Sequence, residues 1–226
     1  MLIYCIPTLV KLREQSMKFT YAFQEIYGFD NVHFEALFRN ANTHTFDQDL
    51  LLNIPLNVQL ETMLKLVFDY NYQNAKIHFN VSPSISVNEL IDLSLVCSRL
   101  NFEQSNLVLE FIECGLASYA TLNFAKNLGF KVALDDFGRG FSIDNLFHQF
   151  IYDFIKLDKV FLKYEIQQTI SSPLVQIIKQ SFPDSLIIFE GVETKSDLDF
   201  VDSLGVDGVQ GFYLSKPVYF TDKRVA

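Results

Sequence analysis

Tryptophan is absent from this chain of 226 residues, and cysteine is scarce. Cys5, Cys97 and Cys114 are odd in number and show no paired spacing. That argues against a disulfide framework or a zinc site and suits reduced thiols in the cytoplasm. There is no run of lysine and arginine, and the formal net charge is −9, so DNA is not an expected partner. An acidic chain still accommodates a phosphate substrate where metal ions reverse the local charge. No stretch reaches the ~18 apolar residues of a membrane span, so no membrane partner is expected. Met1–Val10 is apolar but lacks a basic leader and a small-residue cleavage site, so it does not read as a signal peptide. Residues 1–17 read as an N-terminal extension, either an added helix or sequence upstream of a start at Met17. No linker or low-complexity segment interrupts the remainder, so residues 18–226 read as one domain.

With 49% apolar and 20% charged residues, the chain has ample core. Its organising stretch is Lys131–Gly140, KVALDDFGRG. A short apolar run ends in two aspartates, and glycines then break it, which reads as a buried strand entering a loop. In a regular strand Asp135 and Asp136 point to opposite faces, whereas at a strand end beside a flexible glycine turn both can swing to one point. Two anions held that close need a cation or a shared proton between them. A solvated loop with a helix N-cap is the competing reading of this stretch alone.

Further strands are expected at 18–23, 32–38, 76–81, 107–112, 153–157, 186–190 and 207–214. Helices are expected between them: one with apolar residues Leu60, Met63, Leu64, Val67 and Phe68, and one opened by a Ser86–Glu89 capping box with Leu90, Leu93, Cys97 and Leu100 as its stripe. Others cover about 117–128, 143–150, 160–180 with a kink or break at Pro173, and the stretch from a Thr194–Asp197 cap to Gly205. Regular β-α alternation means a parallel sheet, either closed as a barrel or open and doubly wound, and eight strands favour the barrel.

Glu35, Asn80, Glu110, Asp135, Asp136, Lys156, Glu190 and Gln210 all fall in or at the C-terminal ends of expected strands. In a barrel those ends meet at the mouth where active sites are built. Each has a plainer reading taken singly; Glu110, for instance, could form a buried ion pair with Lys156. Eight plain readings sharing one end of the strands are a poorer explanation than one site. Carboxylates and an amide oxygen are hard ligands suited to Mg²⁺ or Mn²⁺. His33, His44, His78 and His148 are scattered and read as structural or surface residues. Two divalent ions about 3.5–4 Å apart activate water for in-line attack at phosphorus, so phosphodiester hydrolysis is the favoured chemistry. Metal-assisted enolisation in a barrel is the nearest rival.

The segments Phe34–Arg39 (FEALFR), Phe79–Ser82, Glu110–Glu113, Asp135–Gly138, Ile155–Asp158, Glu190–Glu193 and Gln210–Pro217 resemble, in order, the motifs of the EAL-domain family of cyclic di-GMP phosphodiesterases. The resemblance implies a modified (β/α)8 TIM-like barrel with an early antiparallel strand. It implies hydrolysis of cyclic di-GMP to linear pGpG with two Mg²⁺ or Mn²⁺ ions, a bacterial second-messenger role, and a homodimer in many members. By that resemblance Glu35, Asn80, Glu110 and Asp135 hold one metal, while Asp135, Asp136 and Glu190 serve the other. Lys156 orients the attacking water and is catalytic together with Glu190 and Asp136. Arg39 contacts a substrate phosphate, Gln210 supports the metal–water cluster, and Gln210 and Gln24 line the substrate. Glu113 and Glu193 anchor the ligands from behind.

The chain also departs from the family pattern. Glu25 replaces a proline, the segment between Glu35 and Asn80 is trimmed, Ile112 and Cys114 replace Thr and Ser, and Arg139 stands where the family prefers Thr. The alternative function is a regulator that binds cyclic di-GMP or a protein partner without turnover, as degenerate members do. Retention of the metal residues favours catalysis.

Overall fold

A computed structural model describes residues 18–112, 117–138, 150, 152–163 and 165–220. Eight strands form one sheet in chain order: β1 Phe19–Ile26, β2 His33–Asn40, β3 Lys76–Val81, β4 Leu107–Ile112, β5 Lys131–Phe137, β6 Phe154–Leu157, β7 Leu186–Phe189 and β8 Gly208–Val209. β1 is antiparallel to β2, and every later neighbouring pair is parallel. Just past β1, Tyr27 exchanges backbone hydrogen bonds of 2.9 and 2.8 Å with Val209 of β8. That bridge joins the first and last strands and closes the sheet into the expected modified barrel. The chain's last described stretch then crosses β1. Phe23 and Val218 exchange backbone bonds of 2.8 and 2.9 Å, and Phe220 stacks on Phe23 with ring centres 3.8 Å apart.

Six α-helices are described: α1 Gln48–Asn53, α2 Leu56–Asp69, α3 Val87–Leu100, α4 Tyr119–Asn127, α5 Glu165–Ser181 and α6 Lys195–Leu204. The Ser86–Glu89 and Thr194–Asp197 capping boxes open α3 and α6, satisfying backbone donors that a helix start leaves free. The stripes face the core as their 3.6-residue spacing requires: Leu60, Met63, Leu64 and Val67 of α2 and Leu90, Leu93 and Cys97 of α3 are buried.

Several boundaries differ from expectation. α1 has no apolar periodicity to announce it and buries no residue; the Asp47 side chain caps it by accepting from Leu50 N–H. The expected helix at 160–180 is a 3₁₀ turn, Lys159–Leu162, followed by α5, which runs through the exposed Pro173 without ending there. β8 stops at Val209 instead of reaching 214, because Gly211 presses on the backbone of Val192 and the chain turns, with Leu214 and Ser215 N–H donating to Gly211 O. The extension 1–17, most of the expected helix at 143–150, Glu113 and Arg139 lie outside the described residues.

Candidate active site

Side chains two apart on a strand share a face, and this builds the barrel interior in two levels. Ile26, Val108, Ala133, Phe154 and Ile188 form a small buried cluster of their own, an apolar floor. Two positions nearer the mouth on those strands stand Gln24, Glu110, Asp135, Lys156 and Glu190. Glu35, Asn80 and Gln210 follow His33, His78 and Gly208 by the same step. A polar ring therefore rests on the floor.

Lys156, fully buried at 0% exposure, is its hub. The Nζ atom lies 2.8 Å from Glu110 Oε1, 2.8 Å from Glu190 Oε1, 3.0 Å from Asp135 Oδ1 and 3.4 Å from Glu35 Oε2. The ammonium is thus the common counter-charge of four carboxylates. The buried pairing of Glu110 with Lys156 considered from sequence is thus present, as one spoke of four. Gln210 Nε2 donates to Glu35 Oε2 at 2.6 Å and to Gln24 Oε1 at 3.2 Å, and Gln24 Nε2 donates to Ser215 O at 2.9 Å. Asn80 Nδ2 reaches Glu35 Oε1 at 3.4 Å.

The electrostatics are those of too few cations. Burial pushes the carboxyls of Glu110 and Asp135 up, against the pull of Lys156, and takes Glu190 to about 8. Burial also pushes Glu35 upward, but Lys156 together with the donors Gln210 and Asn80 outweighs it, and Glu35 lies below its usual value. Burial lowers Lys156, yet the surrounding carboxylates Asp135, Glu110, Glu190 and Glu35 hold it well above the ordinary lysine value.

Asp136 reaches this end of the barrel through an irregularity. Leu134 pairs with Ile155 and Phe137 with Leu157, so β5 carries one residue more than β6 between them. Asp136 adopts φ 55°, the left-handed conformation of a bulge residue, and Phe137 returns to the outer core with Leu134. Strict alternation would have sent Asp136 outward and Phe137 into the ring.

A cavity of about 410 Å³ opens above the ring, lined by Glu35, Glu190, Gln210, Gln24, Lys159 and the exposed ring of Phe212. Glu193 also lines it but is exposed, 3.8 Å from Lys159 Nζ. Arg39 does not join the ring: its Nη1 donates to Phe38 O at 2.8 Å, and it borders a second cavity of about 310 Å³ with Tyr21, Phe46 and Asn80. Sequence reasoning passed over His33 and His78, whose signal was their place two residues before Glu35 and Asn80 on the same strands.

Among the described residues, no three acidic, histidine or cysteine side chains are grouped at metal-holding geometry. The donor chemistry nevertheless fits hard divalent cations. Four carboxylates against one ammonium leave three negative charges in excess when all ionise (4 − 1). Glu110 Oε2, moreover, is buried with no hydrogen-bond partner.

A family model described as "EAL domain" matches residues 33–217. Among curated proteins, "Probable cyclic di-GMP phosphodiesterase PdeG" of Escherichia coli is 32% identical over 158 residues, 64% of this chain and 31% of that protein. "Cyclic di-GMP phosphodiesterase PdeR" of the same organism is 32% identical over 161 residues, 65% of this chain and 24% of that protein. The chain thus spans about a quarter to a third of the length of these relatives. Among solved structures, a standalone versatile EAL protein from Vibrio cholerae in its c-di-GMP bound form superposes with a TM-score of 0.77 at 23% identity, covering 90% of this chain and 93% of that one. The Klebsiella pneumoniae BlrP1 calcium/cy-diGMP complex does so with a TM-score of 0.75 at 22% identity, covering 90% and 57%. With the family match spanning most of the chain and the barrel shared with these structures, the protein belongs to the EAL domain family.

Proposed function

We propose that this protein hydrolyses cyclic di-GMP to linear pGpG with the help of two divalent cations, Mg²⁺ or Mn²⁺. The observation that carries the reading is the ring of oxygen donors around Lys156, anionic in excess and open to a cavity at the barrel mouth. The names of the relatives and the bound ligands of the structural neighbours point the same way. Glu35, Asn80, Glu110 and Asp135 would hold one cation, and Asp135, Asp136 and Glu190 the other. Bound there, the cations supply charge stabilisation to a phosphodiester and acidity to a water.

The remaining work falls to the chain's own groups. The Lys156 ammonium, held protonated by its neighbours, keeps the attacking oxygen oriented through Nζ–H and offsets charge that builds on phosphorus oxygens. Glu190, with one oxygen on Lys156, would turn its other oxygen to the cation and so help to position the attacking water. Gln210 and Gln24 hold Glu35 and the floor of the cavity in place, and Phe212 gives a nucleobase a ring to stack on. Such a substrate places the protein in the cytoplasm, and a second copy of the chain is the partner the family resemblance suggests.

Incubation of the purified protein with cyclic di-GMP and Mg²⁺ or Mn²⁺, read by chromatography, should yield pGpG that EDTA abolishes. Nucleotide binding without product under either metal would replace this reading with that of a regulator.

A further inference from the structure

Beneath the acidic ring two histidines enter the barrel interior, His33 on β2 and His78 on β3, both buried. His78 Nδ1 lies 2.9 Å from Glu110 Oε1, and His78 Nε2 lies 3.3 Å from His33 Nδ1. The protons on this chain can be assigned. Glu110 Oε1 is also 2.8 Å from the Lys156 ammonium, so it is an acceptor, and His78 Nδ1 must be the donor. A neutral imidazole that gives Nδ1–H to Glu110 keeps Nε2 as its acceptor, and His33 Nδ1–H, 3.3 Å away, donates to it. Only one pair of tautomers satisfies both bonds.

Aromatic rings pack against both. Phe29 stacks on His33 with centres 4.2 Å apart, and Phe154 of the apolar floor packs edge-on against His33 at 5.6 Å and His78 at 5.1 Å. The two bonds fix Glu110 by one oxygen only. Its other oxygen, Oε2, is left buried without a partner. A carboxylate anchored from behind by a donor, with one free oxygen, is how a metal ligand is oriented by a group that never touches the metal.

We infer that His33 and His78 are positioning residues: a fixed-tautomer histidine relay that holds Glu110 by Oε1 so that Oε2 is presented to a divalent cation. This rests on the proposed function only in treating Glu110 as a ligand. It assigns work to two side chains that no motif of the chain included.

Three preparations of the full chain test it: the protein itself, His78→Leu, which removes the donor, and His78→Asn, whose amide nitrogen can stand in for Nδ1. In the metal-free protein, ¹⁵N-edited NMR of the imidazoles should show both histidines neutral with the proton on Nδ1. Calorimetric titration with Mn²⁺ should show affinity reduced about 10–100-fold in His78→Leu. It should be restored to within a few-fold in His78→Asn, with melting temperature in EDTA as the check on folding. An Nε2-protonated His78, or equal Mn²⁺ affinity in a folded His78→Leu, overturns the relay even if the unaltered protein hydrolyses cyclic di-GMP. Loss and rescue of Mn²⁺ binding in a protein that turns over no cyclic di-GMP upholds the relay and refutes the catalytic reading instead. Should His78→Leu not fold, an Nδ1-protonated pair with intact Mn²⁺ binding in His78→Asn upholds the relay, and weakened binding there overturns it.

Discussion

Replacing Glu190 by glutamine should stabilise the metal-free protein and weaken its response to metal. The Glu190 carboxyl is taken to about 8 in the folded chain, against 4.5 for an unperturbed glutamate. A raised acid pKa means that the folded state binds the proton more tightly than the unfolded one. Stability is therefore lost as pH climbs from about 4.5 toward 8, with the full penalty present above that. Between pH 5 and 8 the loss is on the order of 3–4 kcal/mol. The glutamine carries no such charge and still offers Lys156 an oxygen. At pH 8 in EDTA, Glu190→Gln should melt roughly 5–15 °C above the unaltered protein, and the gap should shrink to a few degrees at pH 5. Saturating Mn²⁺ closes most of that gap. A ligand at 100 times its dissociation constant adds about 2.7 kcal/mol to a protein that binds it, and the variant has lost one donor. Thermal melts at two pH values with and without Mn²⁺ provide the assay. A variant that melts lower than its parent at pH 8 in EDTA would show that Glu190 is held by attraction to Lys156, and the excess-charge account of the ring would be wrong.

Asp135→Asn and Glu35→Ala should each abolish phosphodiester hydrolysis while leaving the far-UV circular dichroism unchanged; in EDTA at pH 8 Asp135→Asn, whose carboxyl is pushed up by burial like that of Glu190, should melt above the parent, and Glu35→Ala, which loses the bonds from Gln210 and Asn80, should melt below it. Lys156→Met should do the opposite to stability: stripping four carboxylates of their common cation costs about 3–5 kcal/mol at pH 8, and the deficit should narrow at pH 5 as the raised carboxyls take up protons. Gly211→Ala should lower the melting temperature and the rate together. A Cβ there would stand 2.1 Å from Val192 O, and relief of that clash must shift the turn that follows Gln210; denaturation midpoints and turnover on one preparation would show it.

Much of this protein was legible in its residues because the relevant signals are local. Short apolar runs carrying Glu110, Asp135, Lys156 and Glu190 in or at their C-terminal ends marked these residues as strand-end groups. Capping boxes at Ser86 and Thr194 marked helix starts, and the order of strands implied a barrel whose mouth would gather the polar ends. Three features needed the tertiary structure. The bulge at Asp136 depends on how β5 registers against β6, a pairing between segments that no local pattern specifies. The position of Lys156 at the centre of four carboxylates depends on barrel closure, which the Tyr27–Val209 bridge completes across most of the chain's length. His33 and His78 looked like scattered histidines because they are far apart in sequence. They meet Glu110 only because β2, β3 and β4 are neighbours, so that inward-facing side chains from three strands fall within hydrogen-bonding reach.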